Sequence, residues 1–202
     1  PRPFFVGSFP EVAEVEPNNN FKERQQLSGP AVITGKLQKQ NDVDVFSISA
    51  QAGQTIVASV IAHELLGSPM DAVLQICTES GTVLVQNHDC HGLDPQATYT
   101  VPEAGNYLVR HFAFPSEPNS TIAFSGGDTY LYRLTITTGG FADHALPLAV
   151  QRGKPADLKL FGWNLPSPAA VIEVPATDVR ENLFFQPQDA AGLVPLAIVN
   201  HP

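Results

Sequence analysis

Short runs in which apolar and polar residues alternate recur along most of the chain, and each is closed by Gly, Pro, Asn or Asp. A period of two is the signature of a β-strand with one face toward a core. The runs are Ala31–Leu37, Val43–Ala50, Gln54–Ala62, Ala72–Cys77, Thr82–Asn87, Ala97–Val101, Gly105–Phe114, Ser120–Phe124 and Thr129–Thr137. Val45, Ser47 and Ser49 alternate with Phe46 and Ile48, and Tyr130, Tyr132, Leu134 and Ile136 alternate with the residues between them. This pattern predicts strands that face water on one side. Thr55–Ala62 is apolar on both faces and reads as a central strand. No stretch sustains a helical period, apart from a short turn at Ala62–Leu66. Many short strands without helices predict an all-β fold, a jelly-roll β-sandwich.

Thr138-Gly139-Gly140 ends this unit, and the chain then changes character. Further strand candidates are Ala145–Val150, Ala156–Phe161, Ala169–Val174, Asn182–Gln186 and Val194–Val199. The organisation expected is a leader or linker over 1–10, a β-sandwich over 11–140, and a smaller immunoglobulin-like β segment over 141–202, incomplete or packed on the first domain. Residues 21–30 are polar and are expected to cover one end of the sandwich.

The composition narrows the function. A net charge of −9 over 202 residues repels nucleic acid and anionic membrane surfaces, and is compatible with cation binding. No apolar run approaches the ~18 residues of a membrane helix. With only 15% charged residues, 18 Pro and 15 Gly, the chain has the makeup of a loop-rich all-β protein.

Candidate chemistry concentrates in two acidic segments, Glu14-Val15-Glu16-Pro17-Asn18 and Asp42-Val43-Asp44. In extended backbone Glu14, Glu16 and Asn18 would project to one side, and Asp42 and Asp44 likewise on their own strand. Carboxylates crowded in this way repel unless a hard cation lies between them, and Ca2+ takes six to eight such oxygens. A solvated acidic edge is the plainer alternative. Asn87, Asp89 and Asp94 could form a second cation site. His88-Asp89-Cys90-His91 could hold zinc or copper, with His111 joining from the neighbouring sheet, although it lacks a partner pair at finger-like spacing. A bridge between Cys77 and Cys90 requires the chain to fold back after Asn87. A cysteine nucleophile would need a base and an orienting group, and neither thiol has a setting that lowers its pKa, so no enzyme activity is expected. Trp163, Phe112, Phe114, Tyr130 and Tyr132 could offer an aromatic platform, but aromatics at strand spacing are more often core.

One ordered series of motifs goes further. Glu14-Val15-Glu16-Pro17-Asn18-Asn19, Ile33-Thr34-Gly35, Asp42-Val43-Asp44-Val45-Phe46, Ala52-Gly53-Gln54, Gly67-Ser68-Pro69-Met70-Asp71, Pro102-Glu103-Ala104-Gly105-Asn106-Tyr107 and Gly127-Asp128-Thr129-Tyr130-Leu131-Tyr132 follow in sequence over about residues 11–138. This series resembles the bacterial pre-peptidase C-terminal domain family, which includes the collagen-binding domains of clostridial collagenases. Gly162-Trp163-Asn164-Leu165 also looks like the Gly-x-Asn-Leu stretch of immunoglobulin-like transcription-factor-type domains. The first resemblance implies a secreted or surface-exposed, non-catalytic sandwich that accompanies peptidases and other exported proteins. It also implies calcium ligation by Glu14, Glu16, Asn18, Asp42 and Asp44. The collagen-contacting surface has no counterpart motif here.

The expectation is therefore a calcium-stabilised extracellular, cell-surface or periplasmic accessory module of a larger bacterial protein. Its expected partners are other domains or subunits of an exported assembly, or an extracellular protein or polysaccharide, without nucleic acid or membrane insertion. The rival readings are a carbohydrate- or collagen-type adhesion module, and a structural or metal/redox subunit using His88, Cys90 and His91.

Overall fold

The computed structural model describes residues 5, 7, 9–115 and 123–201. The chain divides into two compact units, 1–138 and 139–202.

The strands of the first unit are β1 (Glu11–Ala13), β2 (Gln25–Gln26), β3 (Ala31–Lys36), β4 (Asp44–Ala50), β5 (Thr55–Ile61), β6 (Asp71–Thr78), β7 (Val83–Asn87), β8 (Gln96–Thr100), β9 (Gly105–Phe114) and β10 (Leu131–Thr137). A single helical turn, α1 (His63–Leu66), lies between β5 and β6. It falls where the sequence has its one hint of helix. One five-stranded sheet runs β1-β3-β10-β5-β8 and the other β2-β4-β9-β6-β7. Only the short edge strands β1 and β2 pair in parallel, with β3 and β4 respectively. The fold is the expected all-β sandwich.

Alternation decides which side chains meet between the sheets. Phe46 and Ile48 from β4, Leu74 and Ile76 from β6 and Val109 from β9 face Ile33, Ile56, Ala58, Leu134 and Ile136 from the opposite sheet, and all are buried. The outer faces are only partly wet, whereas simple alternation predicts them wet throughout: Thr34 and Ser49 are exposed, but other outward positions are buried. On one sheet Val43, Val45, Val73, Cys77, Leu108 and Phe112 form a second apolar cluster under Phe21 and Phe124. On the other, Val32, Val57 and Thr137 are buried as well. Arg133 on that same face lies under the Phe5 ring and pairs with Glu11. Pro10, just before β1, is also tied to the sandwich: its carbonyl accepts the Val32 N–H at 2.9 Å.

Residues 21–30 depart from expectation for the same reason. Phe21 turns inward onto the outer apolar cluster, Gln25–Gln26 join the sheet, and Leu27 is buried. Of the run expected at Ser120–Phe124, residues 120–122 lie outside the described residues, and Ala123 and Phe124 are not in a strand.

At the start of β9, Tyr107 Oη donates to the Glu103 carbonyl at 2.8 Å. The Pro102–Gly105 turn is thereby tied to the strand it feeds, in the manner of a tyrosine corner.

The second unit holds β11 (Phe141–Leu146), β12 (Ala149–Gln151), β13 (Pro155–Trp163), β14 (Ala169–Glu173), β15 (Asn182–Phe185) and β16 (Val194–Val199). Its two three-stranded sheets, β11-β13-β14 and β12-β16-β15, enclose Ala142, Ala145, Val150, Leu158, Leu160, Val174, Val194, Leu196 and Ile198. The single run expected over Ala145–Val150 is divided at Pro147, which has no N–H for a ladder, and the two halves join different sheets.

Removing the Tyr107 hydroxyl tests the corner. Tyr107→Phe is expected to lower stability by about 1 kcal/mol with an unchanged denaturant m-value, as read from urea unfolding.

Candidate metal centre

The acidic segments meet at one end of the sandwich. β1 ends at Ala13, and the Glu14 N–H still bonds to Thr34 O at 3.0 Å, so Glu14 leaves the sheet beside β3. The chain then turns through Glu16-Pro17-Asn18, where Glu16 Oε2 accepts the Asn18 N–H and the Asn19 amide, each at 3.1 Å. Asn18 returns to the sheet by accepting the Val45 N–H at 2.9 Å. Asp44 opens β4 on the inward face shared by Phe46 and Ile48.

These connections bring one carboxylate oxygen from each of Glu14, Glu16 and Asp44 within 4.8 Å of one another. Glu14 and Glu16 are half-buried, and Asp44 is fully buried. One terminal atom of the buried Asn18 amide lies 3.1 Å from Glu16 Oε2 and 3.2 Å from Asp44 Oδ1. With nitrogen there, the amide donates to both carboxylates; with oxygen there, it becomes a fourth oxygen that only a cation would hold in place.

Backbone N–H groups and Tyr132 orient these carboxylates, and for Glu14 and Asp42 one oxygen is left undonated. Glu14 Oε2 accepts the Lys36 N–H at 2.8 Å, and Glu14 Oε1 is buried without a hydrogen-bond partner. Asp42 Oδ2 accepts the Gln38 N–H, and its buried Oδ1 has no partner. Asp44 Oδ2 accepts from Tyr132 Oη at 2.6 Å. Buried acceptors without donors cost free energy unless something else satisfies them. An all-oxygen set with undonated carboxylate atoms suits a hard cation, and oxygens around Ca2+ at about 2.3–2.6 Å can be no more than about 5 Å apart.

Gly35 makes room for the arrangement. It lies opposite Tyr132 in the β3–β10 register. A Cβ there would overlap the Tyr132 hydroxyl and ring, and would lie 2.7 Å from Glu14 Oε2. Behind Tyr132 sits His111, opposite Asp44 in the β4–β9 register, with its ring edge-on to Tyr132 at 4.6 Å. His111 Nδ1 is 3.2 Å from Val73 O, which makes it the protonated nitrogen of a neutral ring. Burial lowers the His111 pKa to about 4.

Burial, reinforced by the Glu14 charge, pushes Asp44 up to about 9, against the Tyr132 hydrogen bond that favours the anion. Burial likewise raises Glu14, with Glu16 and Asp42 adding to the effect. Tyr132 is raised well above its usual value, first by burial and then by the Asp44 charge.

Of the residues expected to ligate a cation, Glu14, Glu16, Asn18 and Asp44 converge directly. Asp42 is buried in the loop before β4 rather than on the strand, and it borders the group closely enough to raise Glu14 and Asp44. Sequence reasoning missed Gly35, Tyr132 and His111 as parts of the site. Their register pairing is a tertiary fact, although Gly35 and Tyr132 both fall within the ordered motifs.

The residues expected at a second cation site have other partners. Asp94 accepts the N–H groups of Ala62, His63 and Glu64 at 2.7–3.2 Å, capping α1. Asn87 Oδ1 accepts the Gln96 N–H at 3.1 Å, and Asp89 pairs with His88 at 3.0 Å. Nor are His88, Cys90 and His91 gathered as metal ligands: among the described residues, Glu14, Glu16 and Asp44 are the one such group. His111 lies in the sandwich interior instead. Cys77 and Cys90 form no disulfide; Cys77 is buried on β6 and Cys90 is exposed. Trp163 packs near Phe141 with ring centroids 6.2 Å apart, and Tyr132 is core, so neither contributes to an open platform.

No protein-family profile matches the chain. It is 34% identical over 103 residues to a protein described as a probable subtilase-type serine protease of Deinococcus radiodurans, across 48% of this chain and 14% of that protein. The chain thus spans about one seventh of that relative. Among solved structures, it is similar to the pre-peptidase C-terminal domain of a collagenase from Bacillus anthracis, at 15% identity and a TM-score of 0.41, covering 63% of this chain and 97% of that one. It is also similar to a periplasmic inhibitor of g-type lysozyme from Aeromonas hydrophila, at 13% identity and a TM-score of 0.38, covering 63% and 95%.

Two outcomes are expected here. Unfolded Asp44 titrates near its ordinary 3.8, whereas the folded group holds its proton to about 9. Raising the pH across that window therefore deprotonates the unfolded state first, and ion-free stability is intact at the acid end and lost toward the alkaline end. Melting midpoints of chelated protein should fall from pH 5 to pH 8, and saturating calcium should flatten the fall. Gly35→Ala should cost about 1–3 kcal/mol by overpacking against Tyr132, measured by denaturant unfolding.

Proposed function

We propose that the chain is a non-catalytic accessory module of a larger exported bacterial protein, in which a calcium ion clasps the start of the sandwich to its interior. The observation that carries this reading is the group of Glu14, Glu16, Asn18 and Asp44, with the buried, undonated Glu14 Oε1 and Asp42 Oδ1 beside it. Without a cation, that geometry leaves buried oxygens without donors and makes Asp44 hold its proton to about 9. With one, the same atoms become a coordination shell. Glu14, Glu16, Asn18, Asp42 and Asp44 would hold the ion, and it would supply charge neutralisation.

The site lies inside the sandwich end, where a clasp acts on stability rather than on a substrate. No nucleophile–base pair accompanies it among its named residues. The subtilase-type relative supports the place of such a module within an exported protease-type protein, outside the cytoplasm, with other domains of the parent protein as its partners. The ordered motifs over residues 11–138 support the pre-peptidase C-terminal reading. Gly162-Trp163-Asn164-Leu165 at the end of β13, in a three-on-three sandwich, supports an immunoglobulin-like second unit.

Thermal melts test the clasp. Calcium at about a hundred times its Kd should stabilise the folded state by about 2.7 kcal/mol, a shift of several degrees that chelator reverses and Asp44→Ala abolishes. A midpoint indifferent to chelator and to calcium in both proteins removes the proposal. Elemental analysis showing zinc, copper or iron in place of calcium would favour a redox or transition-metal role instead.

A further inference from the structure

The apolar cluster on the outer face of the β2-β4-β9-β6-β7 sheet has two covers, and both hang from the segments that bear the candidate ligands. The first cover is Phe21. Asn18 is tied to β4 through Val45 N, and Asn20 Oδ1 then accepts the Lys22 and Glu23 N–H groups at 3.0 and 3.2 Å. This turn throws the Phe21 ring across the sheet onto Gly81, at the β6–β7 turn, where a Cβ would collide with it. Arg24 pins the far end, donating to Phe21 O and Glu79 Oε1, each at 2.7 Å. The second cover is Phe124, whose backbone exchanges hydrogen bonds of 3.0 and 2.9 Å with Asn41, the residue before Asp42. Its ring stands 4.5 Å from Phe112, with the Arg110 guanidinium over both rings.

Beneath these covers lies Cys77, with no exposed surface. Its position makes it a native reporter of whether they are closed.

We propose that cation occupancy at Glu14, Glu16, Asn18, Asp42 and Asp44 holds the Phe21 and Phe124 covers shut over the outer-face cluster, and that loss of the ion opens them and bares an apolar surface containing Cys77. This rests on the calcium reading above. The physical route is short. Without the ion, the buried Glu14 Oε1 and Asp42 Oδ1 have no partner and are drawn toward water, which moves residues 14–18 and the 41–42 turn; those displacements pass along the backbone to Phe21, three residues beyond Asn18, and through the Asn41 hydrogen bonds to Phe124. Phe21 and Phe124 ride on loop segments outside the strands, so a local opening costs less than global unfolding.

The experiment uses the full chain carrying Cys90→Ser, so that Cys77 is the single thiol. Calcium binding is followed by titration calorimetry, and Cys77 alkylation by N-ethylmaleimide is followed by mass spectrometry, well below the melting temperature. Calcium is expected to slow alkylation by about tenfold or more relative to chelator, and the ion-free rate should be insensitive to low urea, the signature of local opening. Phe21→Ala should restore the fast rate with calcium still bound. Arg24→Ala, which frees the far end of the strap and leaves the ring in place, should do so in part and serves if Phe21→Ala does not fold. Calcium bound by calorimetry with equal alkylation rates in both conditions overturns the coupling and leaves the clasp standing. An ion-free rate that rises with urea in step with global unfolding overturns the covers as the route. No calorimetric binding removes the clasp itself, and the coupling with it.

Discussion

Three carboxylates with oxygens within 4.8 Å of one another, two of them within hydrogen-bonding range of one buried amide, are the constraint that the sandwich end has to accommodate. Asp44 is fully buried, so water cannot stabilise its anion, and with Glu14 beside it the group holds its proton to about 9. The fold meets part of that cost with its own donors: Tyr132 Oη on Asp44, the Lys36 N–H on Glu14 and the Gln38 N–H on Asp42. On Glu14 and Asp42 the donor takes one oxygen and leaves the second, buried one without a partner. A single cation would satisfy the remainder at once, which is why the donor pattern is more informative than the count of acids.

The surrounding scaffold is arranged so that this donor pattern can exist. Gly35 is needed because Tyr132 and Glu14 occupy the space its side chain would fill. His111, neutral and edge-on to Tyr132, fixes the ring from behind. The site is thus built from both sheets, with β3 and β10 supplying the donor and the vacancy, β4 supplying Asp44, and the turn after β1 supplying the rest. A substitution at any of these positions acts on the interior packing and on the carboxylates together.

The same turn also shapes the outer surface. Segments that would otherwise be simple loops carry Phe21 and Phe124 over a face that pure alternation predicts to be wet, and Val45 and Cys77 are buried as a result. Alternation set Phe46 and Ile48 on one face, and that face is core, because the inner face of a sandwich strand is set by its neighbours on either side of one gap. It misread the opposite face, because nothing in a period of two says whether a distant loop will return to cover it.

Local patterning determined the all-β class, most strand positions in the first unit, the one helical turn at Ala62–Leu66 and the acidic segments as the place to look. These depend on residues near in sequence, through strand periodicity and turn chemistry. The tertiary structure decided which acids meet: it drew Glu14, Glu16, Asn18 and Asp44 together, and spent Asp94 and Asn87 on backbone N–H groups instead. It also decided that His88, Cys90 and His91 stay apart as ligands. Convergence of side chains from separate strands is a matter of register and sheet order, and Asp44 opposite His111 and Gly35 opposite Tyr132 exist only once the sheets are assembled.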